Sequence, residues 1–173
     1  MQTVKIQQEQ LLLGLTTVLR AISTKNVLPI LSNILLTFTD KKLTLFATDL
    51  EIGIETSVDA EESTPFKTTV PARLFTDLIS TMPGQLIVLE YDEANENILV
   101  NGLKSRHNIK CISAENYPAI PEKVNSKLFE IDSILFKTTI SRILFAASDE
   151  ESKPAVRRLV PARSKHGQNM DDV

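Results

Sequence analysis

Three side chains of this chain could in principle catalyse proton transfer. Asp49 and Glu51 are two positions apart and could act as paired carboxylates. His107 could serve as a base, although no nucleophilic side chain neighbours it. We interpret Asp49 and Glu51 as solvated residues at a strand edge, and a small hydrolase that uses all three residues is the enzyme alternative. Cys111, the single cysteine, lies in an alternating apolar run, so we expect it in the core.

Cofactor and metal motifs are missing from the sequence. No glycine-rich loop stands between a predicted strand and a predicted helix, and no Gly-Lys-Ser or Gly-Lys-Thr triplet occurs. His107 and His166 are far apart, and with a single cysteine they do not make a zinc site. We therefore expect neither a cofactor nor a bound metal.

The remaining candidate chemistry is phosphate binding by cations near helix ends. The cations concerned are Arg20, Lys25, Arg73, Lys137 and Arg142. If the helices face one way, these residues form a modest cationic surface that suits phosphates rather than base edges. The alternative interpretation is a set of scattered solubilising charges.

The overall charge argues against a uniformly basic nucleic-acid-binding protein. The net charge is −3; residues 1–122 hold 10 Lys and Arg against 15 Asp and Glu, whereas residues 123–173 hold 9 against 7. A local basic surface is compatible with this balance.

The elements that must position the cations begin with a strand, a helix and three further strands. Residues 4–6 predict a short strand, and apolar residues recur at helical spacing over about residues 8–22. Pro29 lies beyond this helix, where the helix cannot continue. Alternating or apolar runs then predict three antiparallel strands, at residues 31–38, 43–48 and 52–58.

The same order of elements then repeats. Residues 66–70 predict a strand, and Pro71 opens a helix that ends at residues 82–84. Three more strands are predicted at residues 86–91, 98–100 and 106–112, with Asn101-Gly102 as a turn. We therefore predict an α+β domain, a doubled βαβββ module with two helices on one face of a largely antiparallel sheet. Residues 114–126, which include two prolines, predict an extended linker.

A second, incomplete domain is predicted after this linker. Residues 4–31 match residues 129–156 in register, with identities at Ile6, Leu19, Ala21, Ser23 and Pro29 of the first copy. An offset of 125 residues is too long for a solenoid repeat and indicates a duplicated domain. A strand is predicted at residues 128–131, followed by a helix to about Ser148. We expect three segments: a first domain at 1–122, the start of a second at 127–156, and a divergent, disordered tail at 157–173.

Four ordered strings resemble the beta subunit of bacterial DNA polymerase III, the sliding-clamp family. They are residues 28–36 (LPILSNILL), 47–52 (ATDLEI), 69–73 (TVPAR) and 117–121 (YPAIP). Residues 140–148 (ISRILFAAS), followed by Ser152-Lys153-Pro154, resemble the start of that family's second domain. The resemblance covers residues 1 to about 156.

The resemblance implies a DNA-clamp fold built from doubled βαβββ modules. It implies a processivity subunit that encircles duplex DNA, tethers the replicative polymerase and catalyses nothing itself within that nucleotidyltransferase complex. The implied partners are double-stranded DNA of any sequence, a second clamp subunit bound head to tail, the polymerase and the clamp loader. We expect a cytoplasmic location, because no apolar run approaches the ~20 residues of a membrane span and no signal-peptide pattern opens the chain.

The same resemblance implies roles for five cations by matching position. Lys25 corresponds to the basic DNA-contacting loop after the first helix, and Arg73 to a helix position that faces the hole of the ring. Arg142 corresponds to a position on the second domain's helix toward DNA. Lys104 and Arg106 correspond to the edge that meets the third domain of the partner subunit.

The chain departs from the family after Pro154. Residues 157–173 resemble no part of it, and neither the third domain nor the cleft in which clients dock has a counterpart. We expect a truncated or frame-shifted form that cannot close a ring alone, because a head-to-tail interface needs both complementary surfaces. The alternative is a binding module that caps a full-length clamp through Lys104 and Arg106.

Overall fold

A computed structural model describes residues 2–23, 28–61, 64–84, 86–103, 105–119 and 130–143. The chain forms two compact units, residues 1–121 and 122–173, and most described residues belong to the first. Within the described ranges, no helix has the length and apolar character needed to cross a membrane.

The first unit contains two successive βαβββ modules. The first module comprises β1 (Gln2–Gln7), α1 (Gln8–Val18), β2 (Asn33–Thr39), β3 (Lys42–Thr48) and β4 (Gly53–Asp59). The second comprises β5 (Phe66–Pro71), α2 (Ala72–Thr81), β6 (Leu86–Asp92), β7 (Asn97–Asn101) and β8 (Arg106–Lys110). The predicted α+β class with a doubled βαβββ module is confirmed.

The eight strands form two antiparallel sheets, and each module gives its first strand to the other module's sheet. One sheet has the order β1-β6-β7-β8 and the other β4-β3-β2-β5. Isolated bridges between Lys5 and Glu61 and between Thr69 and Ile112 join the two sheets. The sequence predicted one sheet because alternation identifies strands but does not say which strands pair.

The main core lies between the inner faces of the two sheets and the two helices. Phe38, Phe66 and Tyr91 stack in series from one sheet to the other, with ring centroids 6.0 Å and 5.4 Å apart. Cys111 is buried in the same core, and this burial raises the pKa of its thiol. The prediction of a core cysteine is thus confirmed.

Several predicted boundaries were wrong for local reasons. The α-helix ends at Val18 instead of residue 22 and continues as a 3-10 turn; the Thr16 and Thr17 hydroxyls donate back to main-chain carbonyls in this region. Pro71 is the last residue of β5, paired with Asn33, so α2 begins one residue later. Asn101, predicted in a turn, is the last residue of β7 and pairs with Arg106, and the N–H group of Gly102 donates to the carbonyl oxygen of Ser105.

The predicted extended linker at residues 114–126 was wrong in its first part. Residues Ala114–Asn116 form a 3-10 turn, and Tyr117 is buried against Leu35 and Phe46 on the outer face of β2 and β3. The Tyr117 hydroxyl donates to the carbonyl oxygen of Asn33 at 3.1 Å. An aromatic ring gains more from burial on a sheet than from exposure in a linker. Residues 120–126 lie outside the described residues.

The described part of the second unit is residues 130–143. It contains α3 (Ser133–Ile143), whose start is capped by Asp132 Oδ1, which accepts from the N–H groups of Ile134 and Leu135. Glu130 and Ile131 are not in a strand, so that prediction was wrong at these positions, where no described strand is available to pair with them. Residues 127–129 and 144–173, which include the rest of the predicted strand and helix and the whole predicted tail, lie outside the described residues.

Candidate nucleic-acid interface

α1 and α2 lie side by side and antiparallel. The buried side chain of Gln8, at the start of α1, donates through Nε2 to the carbonyl oxygen of Ile79 at 2.9 Å, near the end of α2. At the opposite ends, Ile22 and Ser23 line the same cavity as Arg73. The segment that follows α1 is therefore next to the first turn of α2.

A close approach of α1 to the sheet sets the position of this helix end. Gly14 faces β3 and β4, and a Cβ atom built on it would lie 2.6 Å from Leu45 Cδ1 and 3.2 Å from Val58 Cγ1. Only a residue without a side chain allows this spacing. α2 buries Phe75 and Ile79 completely and leaves Arg73 and Leu74 exposed.

Arg73 stands at the positive end of a helix. It lies in the first turn of α2, where there is no acidic residue and no side-chain cap. A cation there works slightly against the helix dipole, whereas the same dipole and the free N–H groups attract an anion. The placement of Arg73 therefore favours anion attraction over helix stability.

The cavity beside Arg73 measures about 390 Å³ and is lined by both polar and apolar residues. Ser23, Ser32 and Asn33 line it together with the start of α2. Asn33 is held in place, because its Nδ2 donates to Thr69 Oγ1 at 2.9 Å. Sequence reasoning missed Ser32 and Asn33 as neighbours of Arg73, because the pairing of Asn33 with Pro71 brings together residues 38 positions apart.

The other candidate cations fall into three groups. Arg20 is exposed in the 3-10 turn that follows α1, and Arg142 is exposed in the last turn of α3, which belongs to the second unit. Arg106 is exposed at the start of β8. Lys25 and Lys104 lie outside the described residues, so their predicted roles stay predictions.

Of the three candidate catalytic residues, Asp49 and Glu51 lie in one turn and His107 lies on β8. Asp49 lies in the turn between β3 and β4, instead of on a strand edge, and its Oδ1 accepts from the N–H groups of Glu51 at 3.0 Å and Ile52 at 2.9 Å. This carboxylate therefore shapes a turn. Glu51 is exposed in the same turn, and His107 is exposed on β8.

The fold defines the class of protein: an internally duplicated, two-sheet binding domain of the DNA-clamp type, with an exposed cation at a helix start. Comparison with known families then identifies it. The family described as DNA polymerase III beta subunit, N-terminal domain, matches residues 2–121. The chain belongs to the DNA polymerase III beta subunit family.

Individual relatives agree with this assignment. The beta sliding clamp of Pseudomonas putida is 32% identical over 148 residues, which are 84% of this chain and 40% of that protein. The solved sliding clamp of Caulobacter crescentus superposes with a TM-score of 0.80 at 26% identity, covering 89% of this chain and 42% of that one. The solved DNA polymerase III beta chain of Streptococcus pneumoniae superposes with a TM-score of 0.80 at 30% identity. The match covers 89% of this chain and 42% of that one. This chain spans about 40% of the length of the relatives it matches.

Proposed function

We propose that this chain provides the N-terminal domain of a sliding clamp and that the adjoining ends of α1 and α2 face the backbone of duplex DNA. The observation that supports this most strongly is the cavity shared by Ser23, in the segment after α1, and Arg73, at the start of α2. In this proposal Arg73 and Lys25 contact phosphates, and Arg142 does so from the second domain. In the same proposal, residues 1–122 are the first domain, residues 127–156 are the start of the second domain, and residues 157–173 are a divergent tail.

Contact through phosphates explains why the interaction is independent of sequence. Lys and Arg side chains that contact phosphates position the protein on the duplex but do not read the base sequence. The affinity of such a protein for DNA falls as the salt concentration rises. A domain with an acidic overall balance holds the backbone weakly, which suits sliding along it. The role is processivity for the replicative polymerase in the cytoplasm, and this chain itself makes and breaks no covalent bond.

The β8 edge is proposed as the subunit interface. Arg106 is exposed there, and Lys104 lies two positions before it in sequence. In a clamp ring this edge meets another clamp subunit head to tail, and the assembled ring binds the polymerase and the clamp loader. A polypeptide of these 173 residues does not close a ring alone, because the proposal gives it only one of the two complementary surfaces.

DNA binding is tested by fluorescence anisotropy with two unrelated duplexes at low salt. The affinities for both duplexes are expected to agree, and the Arg73→Glu variant is expected to bind roughly five- to tenfold more weakly. Lys67→Glu is the matched control, since Lys67 is an exposed cation on β5. The proposal is contradicted if Arg73→Glu and Lys67→Glu lower the DNA affinity equally, or if the parent protein prefers one of the two duplexes.

Ring closure is tested separately on circular and linearised plasmids. The chain alone is expected to be retained equally on both, whereas a full-length clamp is retained on circles. Selective retention of the 173-residue chain on circles contradicts the expectation that it cannot close a ring.

The second candidate function is a module that caps a full-length clamp through the β8 edge. Two observations favour it: Arg106 is exposed, and within the described ranges β8 pairs only with β7. Mixing the chain with the full-length Pseudomonas putida clamp should then give a complex that Arg106→Glu weakens. No complex at high concentration rules this function out.

A further inference from the structure

A cavity of about 530 Å³ lies where the two sheets separate, and it shares no lining residue with the cavity beside Arg73. Backbone hydrogen bonds between Thr69 and Ile112 join the sheets. Just beyond this junction the chain turns away from β5, and Ser113 Oγ caps the new turn by accepting from the N–H group of Glu115 at 3.3 Å. Among the described strands β5 pairs only with β2, so the cavity lies beside the first residues of β5.

Aromatic rings form part of the wall of this cavity. Phe38, Phe66 and Tyr91 line it, and all three belong to the stack that runs through the main core. Where such rings reach a cavity, they offer an apolar surface to alkyl groups and attract cations. Gln2 also lines the cavity; its Oε1 atom is buried and has no hydrogen-bond donor within the described ranges. A buried acceptor of this kind favours a ligand that donates hydrogen bonds.

Acidic side chains line the cavity from two different segments. Glu93 and Glu96 come from the turn between β6 and β7, and Glu115 comes from the 3-10 turn after β8. Lys67 is the one cation among the described lining residues, so three anions and one cation give the lining a net charge of −2. Carboxylates on two segments suit a ligand whose cations are separated by an apolar spacer.

The turn that carries Glu93 and Glu96 is held by β8 and the residue after it. Lys110 Nζ donates to the carbonyl oxygen of Asn95 at 2.7 Å, and the N–H group of Cys111 donates to the carbonyl oxygen of Glu96 at 2.8 Å. Glu96 has a φ of 48°, in the left-handed region, which persists only where the surroundings hold it. This acidic wall is therefore in position before a ligand arrives, which lowers the entropic cost of binding.

We propose that this cavity binds a linear aliphatic polyamine, a chain of methylene groups with an ammonium group at each end. The methylene groups pack against the aromatic wall, and the ammonium groups bind the carboxylates of the two acidic segments. A ligand with two or three positive charges neutralises the net charge of the lining. This binding goes beyond the function proposed above and involves neither the helix ends that face DNA nor the β8 edge, so it stands or falls independently of that function.

The test is a titration of the labelled 173-residue chain with spermidine, followed by backbone amide NMR without DNA. An ionic strength of about 0.15 M screens unspecific attraction. Saturable chemical-shift changes are expected at residues 37–39, 65–67, 91–96 and 113–115, with a dissociation constant of about 1 mM. Butylamine has a single cation and should bind roughly tenfold more weakly. Mg²⁺ at the same concentration should not displace spermidine, because it has no alkyl chain.

Three variants locate the binding. Glu93→Gln with Glu115→Gln removes one carboxylate from each segment and is expected to weaken spermidine binding roughly fivefold. Lys67→Gln removes the repelling cation and is expected to strengthen binding about two- to threefold. The matched control, Glu51→Gln with Asp77→Asn, removes two exposed carboxylates that do not line the cavity and should bind like the parent.

The same spectra show whether each variant is folded, because amide signals away from the cavity should match those of the parent. The proposal is overturned if the parent shows no saturable shift changes, or if the changes lie elsewhere on the first unit. It is also overturned if butylamine or Mg²⁺ acts as well as spermidine, or if the control variant loses as much affinity as the cavity variant.

Discussion

At the scale of single residues, two buried side chains make hydrogen bonds between segments of this domain that are distant in sequence. Gln8 ties the start of α1 to the last carbonyl groups of α2, and Tyr117 ties the segment after β8 to Asn33. The last carbonyl oxygens of a helix have no hydrogen-bond donor within the helix. When such an oxygen is buried, another donor must bind it. Both residues therefore hold together parts of the chain that are 71 and 84 positions apart.

Gln8→Ala is expected to lower the free energy of unfolding by about 1 kcal/mol, because the buried hydrogen bond from Gln8 Nε2 is lost and the Ile79 carbonyl oxygen keeps only the N–H group of Met82, at 3.3 Å. Urea denaturation followed by circular dichroism measures this. Gln10→Ala, an exposed position on the same helix, serves as the control and should change stability by less than about 0.5 kcal/mol. Equal effects of the two substitutions contradict a structural role for the Gln8 hydrogen bond.

Tyr117 makes stability depend on pH in the alkaline range. Burial raises the pKa of this hydroxyl to about 12, above its ordinary value of 10.0. Between these values the unfolded chain has lost the proton and the folded chain keeps it, so stability falls as pH rises through this window and is unaffected below it. The total loss is about 2–3 kcal/mol.

The comparison with Tyr117→Phe isolates this titration. The variant is expected to be less stable at neutral pH by about 1 kcal/mol, because the hydrogen bond to Asn33 is gone. From pH 10 to 12 its stability should fall less steeply than that of the parent, since other groups titrate equally in both. Parallel curves for the two proteins in urea titrations contradict a raised pKa at Tyr117.

At the scale of elements, periodicity located the helices and strands but not their partners. The stripe around Leu11, Leu15 and Val18 predicted α1, and these side chains are fully buried. The exchange of β1 and β5 between the sheets was not predictable, because an alternating strand fits beside any other apolar strand. The same limit hid Ser32 and Asn33 from the predicted site, whereas Arg73 was found from its place in the first turn of a helix.

Gly14→Ala tests the spacing of α1 from the sheet. In an exposed helix this change stabilises by about 1 kcal/mol. Here the new methyl group would lie 2.6 Å from Cδ1 of Leu45, a fully buried side chain that would have to shift within the core. We expect a net loss of about 1–2 kcal/mol in urea denaturation, since overpacking outweighs helix propensity.

Gly84→Ala is the matched control for this substitution. Its added Cβ would lie 3.4 Å from Glu9 Oε1, the end of a flexible side chain, so we expect an effect within about 0.5 kcal/mol. A stabilised Gly14→Ala variant contradicts the close packing of α1 on β3 and β4.

At the scale of the whole molecule, the two modules are interdependent and carry different surfaces. β1 completes the second module's sheet and β5 the first module's, so neither module has its full set of strands alone. The two helices run antiparallel, and this brings the segment after α1 next to Arg73. Among the described residues, β4 and β8 each pair with one strand only. The proposed DNA surface, at the helix ends, is therefore separate from the proposed protein-binding edge at β8.

The most direct measurement of the DNA surface is backbone amide NMR of the labelled chain titrated with duplex DNA at low salt. The account predicts that chemical-shift changes concentrate at residues 19–23, 28–33 and 71–74, are the same for two unrelated duplexes and fade as salt is added. Changes concentrated on the outer faces of β6, β7 and β8, or changes that depend on the DNA sequence, would contradict it.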